Sequence, residues 1–81
     1  RRVIFLLQYD RRSGRLLGLR AFDEGAKIDA ENARLELELR LNSLGVHNEV
    51  VLLEADTEAA LRRTHRRYFE DLSKIASSTT S

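Results

Sequence analysis

The sequence predicts one small α+β domain with the element order β-β-α-β-α. Three observations predict it: two short apolar runs around a polar loop, a long stretch rich in Ala, Glu, Leu and Arg, and a third apolar run followed by an amphipathic stretch. The 81 residues, 42% apolar and 33% charged, allow one domain over residues 1–76 and a polar, flexible tail over residues 77–81. A domain of this size buries only roughly 60% of its unfolded surface, so association would stabilise it.

The first two elements form a predicted hairpin. Residues 3–9 are apolar on both faces, which is typical of a central strand. Residues 10–14 are polar and end in Gly, as hairpin loops often do. Residues 15–22 form the second strand, in which Gly18 marks a bulge or a close approach of another backbone.

The third element, residues 23–44, carries two conflicting patterns. Asp23 is a good N-cap, strong helix formers follow, and Gly45 is a natural residue to end a helix. Yet residues 35–41, LELELRL, alternate strictly, which indicates a strand. We favour one helix because no turn residue separates this segment from the residues before it. The alternative is two hairpins followed by a terminal helix.

On that helix the apolar side chains fall on two opposite faces. One face would carry Ala26, Ala30, Ala33, Leu37, Leu41 and Leu44, and the other Ile28, Leu35 and Leu39. A surface helix normally has a single apolar stripe. We therefore expect the sheet to cover the first face and a partner, which the homodimer hypothesis makes a second copy of the chain, to cover the second.

The last two elements are a strand over residues 46–55 and a helix that Asp56 or Thr57 caps and that runs to about Ile75. The apolar stripe of this helix would comprise Leu61, His65, Tyr68, Leu72 and Ile75. Since a helix precedes the third strand, that strand should run parallel to the second. With the most apolar strand in the middle, the prediction is a three-stranded mixed sheet of order 2-1-3. The helices then lie on opposite faces, or both lie on one face and a partner covers the other.

The formal net charge of +1 is unevenly distributed: residues 1–20 carry +5, residues 21–58 carry −7 and residues 59–81 carry +3. The arginines of the second helix form one predicted group: Arg62, Arg63, Arg66 and Arg67. Together with arginines of the hairpin loop they could contact a polyanion such as nucleic acid. Alternatively they are a solvated face whose charges pair with the acidic first helix or with a second copy.

Candidate chemistry is sparse. His65 and Tyr68 lie one turn apart and could line a pocket as an acid–base pair, or could simply pack together. With no Cys and no metal-ligand spacing around the two His residues, we predict neither a metal site nor a cofactor. The element order is shared by small nucleases with paired Gly-Ile-Tyr and Tyr-Ile-Gly motifs, but both motifs are absent here.

The sequence therefore predicts a small non-enzymatic protein-interaction module that forms a homodimer or binds another protein. Nucleic-acid binding through the arginine face is the alternative, and a small hydrolase or transferase built on His65 and Tyr68 is a third hypothesis. No apolar run approaches the ~20 residues that span a bilayer, so a membrane partner is not expected. The absence of Cys favours a cytoplasmic location.

Overall fold

The computed structural model describes residues 2–70. Within them the chain forms the predicted β-β-α-β-α order, with two short 3₁₀ turns at Glu24–Ala26 and Arg66–Tyr68. The elements are β1 (Val3–Asp10), β2 (Arg15–Asp23), α1 (Lys27–Ser43), β3 (Glu49–Ala55) and α2 (Glu58–Thr64). The small α+β fold is thus confirmed, whereas the predicted tail over residues 77–81 lies outside the described residues.

The sheet has the predicted order β2-β1-β3, but it is wholly antiparallel and not mixed. Strands β2 and β3 do run in the same direction, as predicted. They are not neighbours, however, because β1 lies between them and opposes both: Leu7 pairs with Leu19 on one side and with Val51 on the other. Both β2 and β3 are therefore edge strands.

The hairpin between β1 and β2 closes through a left-handed glycine. Gly14 has φ 69° and donates its backbone N–H to the Asp10 carbonyl at 2.8 Å. The Asp10 side chain accepts hydrogen bonds from the Ser13 hydroxyl and the Arg12 N–H, which orders the loop and lowers the pKa of Asp10. The register shifts between Gln8 and Tyr9, so the sequence signal at Gly18 does mark a β-bulge, with Leu17 as the extra residue.

Residues 35–41 are helical, so the helix interpretation of that segment is confirmed. Helix α1 ends just before Gly45, which has φ 71°. The Val46 N–H bonds the Leu41 carbonyl at 2.9 Å, and the Gly45 N–H bonds the Asn42 carbonyl at 3.1 Å. This pair of bonds is a Schellman motif. The predicted start of the helix at Asp23 was wrong in detail, because Asp23 ends β2 and its side chain makes no capping hydrogen bond.

Helix α2 begins as predicted and ends earlier than predicted. The Thr57 hydroxyl accepts the Ala60 N–H at 3.0 Å, which satisfies one free donor of the first turn. At His65 the backbone leaves the helical region, with φ −124° and ψ 53°, so a helix that continues to about Ile75 is wrong. Leu72 and Ile75, assigned to its apolar stripe, lie outside the described residues.

The two helices cover opposite faces of the sheet, which was one of the two predicted arrangements. Odd-numbered β1 residues pack with Leu61 of α2 and with Tyr68. Even-numbered β1 residues face α1, whose Ala33 and Leu37 lie beside Leu6. The largest fully buried side chains are those of Leu7 and Leu61.

Candidate interaction surfaces

The outward face of α1 is apolar and exposed. Ile28, Leu35 and Leu39 are 74%, 53% and 60% exposed, whereas Ala30 and Leu41 on the opposite face are buried against the sheet. Helix α1 thus has the two predicted apolar faces, of which the sheet covers one, but Leu44, predicted on the covered face, is 68% exposed because it lies at the C-cap, beyond the last turn of the helix. We call the face that carries Ile28, Leu35 and Leu39 the α1 outward face.

The outer edge of β3 is a second open surface. Its four central residues, Val50 to Leu53, are only half-buried, although they lie in the most apolar part of the strand. They alternate between the two faces of the sheet, so both faces of this edge strand are apolar. Natural edge strands are usually blocked by a bulge, Pro, Lys or a short length. β3 has no bulge, Pro or Lys and pairs with β1 over seven residues without a register shift; its two charged residues, Glu49 and Glu54, lie toward its ends.

The other edge strand, β2, differs from β3 in having a bulge and two arginines. A bulge at Leu17 interrupts its register, and Arg15 and Arg20 lie along it. The guanidinium of Arg20 lies over the Phe22 ring, 4.7 Å from its centroid. Bulges and charged side chains of this kind disfavour pairing with another strand.

The arginine group identified in the sequence is mostly ion-paired within the chain. Arg62 pairs with Glu58 at 2.8 Å, Arg66 with Glu70 at 3.3 Å and Arg67 with Glu49 at 2.6 Å. Glu58 and Glu70 each lie four residues from their arginine, and Glu49 lies on β3, so none of these ion pairs joins the group to α1. Arg62, Arg63 and Arg66 line one shallow hollow, while Arg67 is turned toward the sheet.

Glu49 is the centre of the densest polar contacts in the described residues. Its carboxylate accepts hydrogen bonds from the Tyr68 hydroxyl, from Arg67 Nη2 at 2.6 and 2.8 Å, and from Arg11 Nε at 3.1 Å. Arg67 also lies over the Tyr68 ring, 4.3 Å from its centroid. These contacts join three segments: the hairpin loop, the start of β3 and the 3₁₀ turn after α2.

The electrostatics of this cluster follow from its donors. The Tyr68 hydroxyl, followed by the two guanidinium groups, lowers the pKa of Glu49 from 4.5 to about 2 despite partial burial. Burial, with the nearby carboxylate, raises the pKa of Tyr68. A fixed carboxylate and a neutral phenol are not poised to exchange protons near neutral pH, so we assign this cluster a structural role.

The structure does not assemble His65 and Tyr68 as an acid–base pair. They are joined by a backbone hydrogen bond, which the Tyr68 N–H donates to the His65 carbonyl at 3.2 Å. The Tyr68 ring instead packs edge-on against Tyr9, with centroids 5.2 Å apart. Tyr68 lines a hollow of about 210 Å³, but His65 does not; the other lining residues are Gly14, Arg15, Leu16, Arg62, Phe69 and Glu70.

Sequence reasoning missed the Glu49 cluster because its members are far apart along the chain. Glu49 and Tyr68 are separated by 19 residues, and Glu49 and Arg11 by 38. One signal was available: Glu49 occupies the same strand face as the apolar Val51 and Leu53. An acidic side chain at the border of a core face needs a polar partner.

No protein-family model matches the sequence, and no curated protein or solved structure is significantly similar to it. Within residues 2–70, no helix combines the length and apolar character needed to cross a membrane. The same residues hold no group of three or more His, Asp or Glu side chains placed to bind a metal ion. The open apolar surfaces described above are the α1 outward face and the outer edge of β3.

Proposed function

We propose that this protein is a small non-enzymatic protein-interaction module that works as a homodimer, with two copies paired along the outer edge of β3. The observation that carries the proposal is this seven-residue edge, which is apolar on both faces and not blocked by a bulge, Pro or Lys. Pairing with a second strand would bury the exposed part of its Val and Leu side chains and satisfy its free backbone groups.

Symmetry and side-chain placement select one register for this pairing. A two-fold axis perpendicular to the sheet keeps the α1-covered face of both copies on the same side. Residues that pair directly across the two strands also point to the same face, so both must have even numbers or both odd numbers. Among such registers, only the one centred on Leu52 overlaps all seven residues. It places Val51 opposite Leu53, Val50 opposite Glu54 and Glu49 opposite Ala55, so no two carboxylates face each other.

A direct test is the molar mass of the protein by sedimentation equilibrium at micromolar to submillimolar concentrations. We expect a dimer for the natural sequence and a monomer for Leu52→Lys, because the two-fold axis brings the two Leu52 side chains together. The matched control is Leu17→Lys, which makes the same change on the other edge strand and should leave the dimer intact. A monomeric natural protein contradicts the proposal.

Hydrogen exchange in the natural protein gives an answer even if Leu52→Lys fails to fold. An edge strand directs only alternate backbone N–H groups toward its neighbour, so alternate amides of β3 are protected in a monomer. Pairing along the outer edge protects consecutive amides from Val50 to Leu53. A dimer in which protection alternates would mean that the copies associate elsewhere.

Nucleic-acid binding is a second candidate, and one observation favours it. The hairpin loop and the α2 arginines meet at one end of the molecule: Arg15 and Arg62 line the same hollow, and Arg11 and Arg67 share Glu49. Binding of this kind weakens steeply as salt is raised. If RNA or DNA binds at low salt, replacement of Arg63 or Arg66 by Ala should reduce the salt dependence; no binding at low salt removes this candidate.

A further inference from the structure

From the charges that border the α1 outward face, we infer that this face docks an amphipathic helix with basic flanks. It is separate from the β3 edge and goes beyond the homodimer proposed above. The inference rests on the spacing of its apolar residues, on the acidic side chains beside them, and on what a second copy would bring to the same surface.

The spacing is that of a helix-pairing seam. Ile28 and Leu35 are seven residues apart, and Leu39 follows Leu35 by four. A helix-pairing seam repeats alternately every four and every three residues. This spacing also places Asn32, between Ile28 and Leu35, and Asn42, after Leu39, on the seam. Such a repeat lets one helix pack along another with side chains interlocked. The 17 residues of α1 offer a seam about 25 Å long.

The positions that flank this seam are acidic on both sides. Asp29 and Glu36 directly follow Ile28 and Leu35, and Glu31 and Glu38 directly precede Asn32 and Leu39. Of these four, Glu38 pairs with Arg34 at 3.0 Å, while the others form no ion pair within the part of the chain that the structure describes. The flanks therefore present net negative charge that is not neutralised within residues 2–70.

These flanks decide which helix fits. The flanking positions of a helix pair set the choice of partner and its orientation. A second copy of α1 would place acid against acid in either orientation, whereas a helix with Lys or Arg flanks buries the same Leu and Ile side chains and forms ion pairs. Over four flanking contacts the difference amounts to at least about tenfold in affinity.

The test uses two labelled peptides of three heptads, with Leu along the seam and either Lys or Glu at every flanking position. Fluorescence anisotropy should show that the Lys peptide binds at least about tenfold more tightly than the Glu peptide. Equal binding of the two peptides, or binding of neither, overturns the inference. This readout is independent of the β3 dimer, which the molar mass reports separately.

Two sets of variants separate seam packing from non-specific charge attraction. Leu35→Glu should abolish binding of the Lys peptide, whereas Leu17→Glu should not, although both leucines are 53% exposed and both changes add the same charge. The double change Asp29→Lys and Glu36→Lys should shift the preference toward the Glu peptide. If Leu35→Glu leaves binding unchanged or strengthens it, as an added negative charge does in a purely electrostatic complex, the attraction is non-specific and the inference is wrong.

Discussion

Replacement of Glu49 by Gln tests the main polar contact of the fold. The change keeps the shape of the side chain but removes the charge that faces Arg67 and Arg11. The native surroundings lower the pKa of Glu49 from 4.5 to about 2, and a shift of this size corresponds to an upper bound of roughly 3 kcal/mol. The guanidinium-bearing side chains of Arg67 and Arg11 are 56% and 74% exposed, so water screens part of this energy. We therefore expect Glu49→Gln to lower the free energy of unfolding by about 2 kcal/mol at pH 7.

The pH dependence of this effect has a defined sign. Because folding lowers the pKa of Glu49, the carboxylate stabilises the native state fully above the unfolded-state pKa. That contribution is lost as the pH falls from about 5 toward the folded-state pKa of about 2. A protonated Glu and a Gln have nearly the same shape, so the two proteins should be almost equally stable at the acidic end of this range.

Urea unfolding followed by circular dichroism, at a series of pH values from 7 to 2, measures this difference. Glu54→Gln is the matched control on the same strand: Glu54 lies 3.8 Å from one exposed arginine, so its loss should cost less than about 0.5 kcal/mol. A difference between Glu49→Gln and the natural protein that stays constant with pH, or is absent at pH 7, refutes the assigned role of the cluster.

Three further substitutions test the local structure by the same unfolding assay. Thr57→Ala removes the hydroxyl that caps α2 and should lower the free energy of unfolding by about 1 kcal/mol. Thr57→Ser keeps a capping hydroxyl and should be nearly as stable as the natural protein. Gly45→Ala places a side chain on a backbone with φ 71° and should lower the free energy of unfolding by about 1 kcal/mol, although nothing lies within 4 Å of the new Cβ. The control Gly25→Ala, where φ is ordinary, should leave the free energy of unfolding nearly unchanged. Leu7→Ala opens a cavity at a fully buried position and should cost about 2–5 kcal/mol, whereas Leu17→Ala, at a 53% exposed position, should cost much less.

The fold was predictable wherever local chemistry agreed with global packing. Gly45 ended α1 in the sequence as it does in the structure, and the absence of a turn residue before Leu35 identified residues 35–41 as helical despite their alternation. The opposite exposure of Ala30 and Leu35 on α1 also followed from periodicity alone.

The remaining features depend on contacts between distant segments. The hydrophobic periodicity predicted that α2 continues past His65. At His65, however, the chain leaves the helix and brings Tyr68 against Tyr9 and Glu49. The antiparallel sheet was implied by the predicted strand order and directions, since a strand placed between two parallel strands can oppose both. The Glu49 cluster could not be read from local patterns, because no local rule connects residues on a loop, a strand and a turn.

Hydrogen exchange along β3, measured by NMR together with the molar mass of the same sample, tests the proposed homodimer most directly. Each β3 amide reports whether its N–H group is bonded, so the result does not depend on any variant that fails to fold. The proposal predicts a dimer in which consecutive amides from Val50 to Leu53 are protected. A monomer, or a dimer in which only alternate amides of β3 are protected, would contradict it.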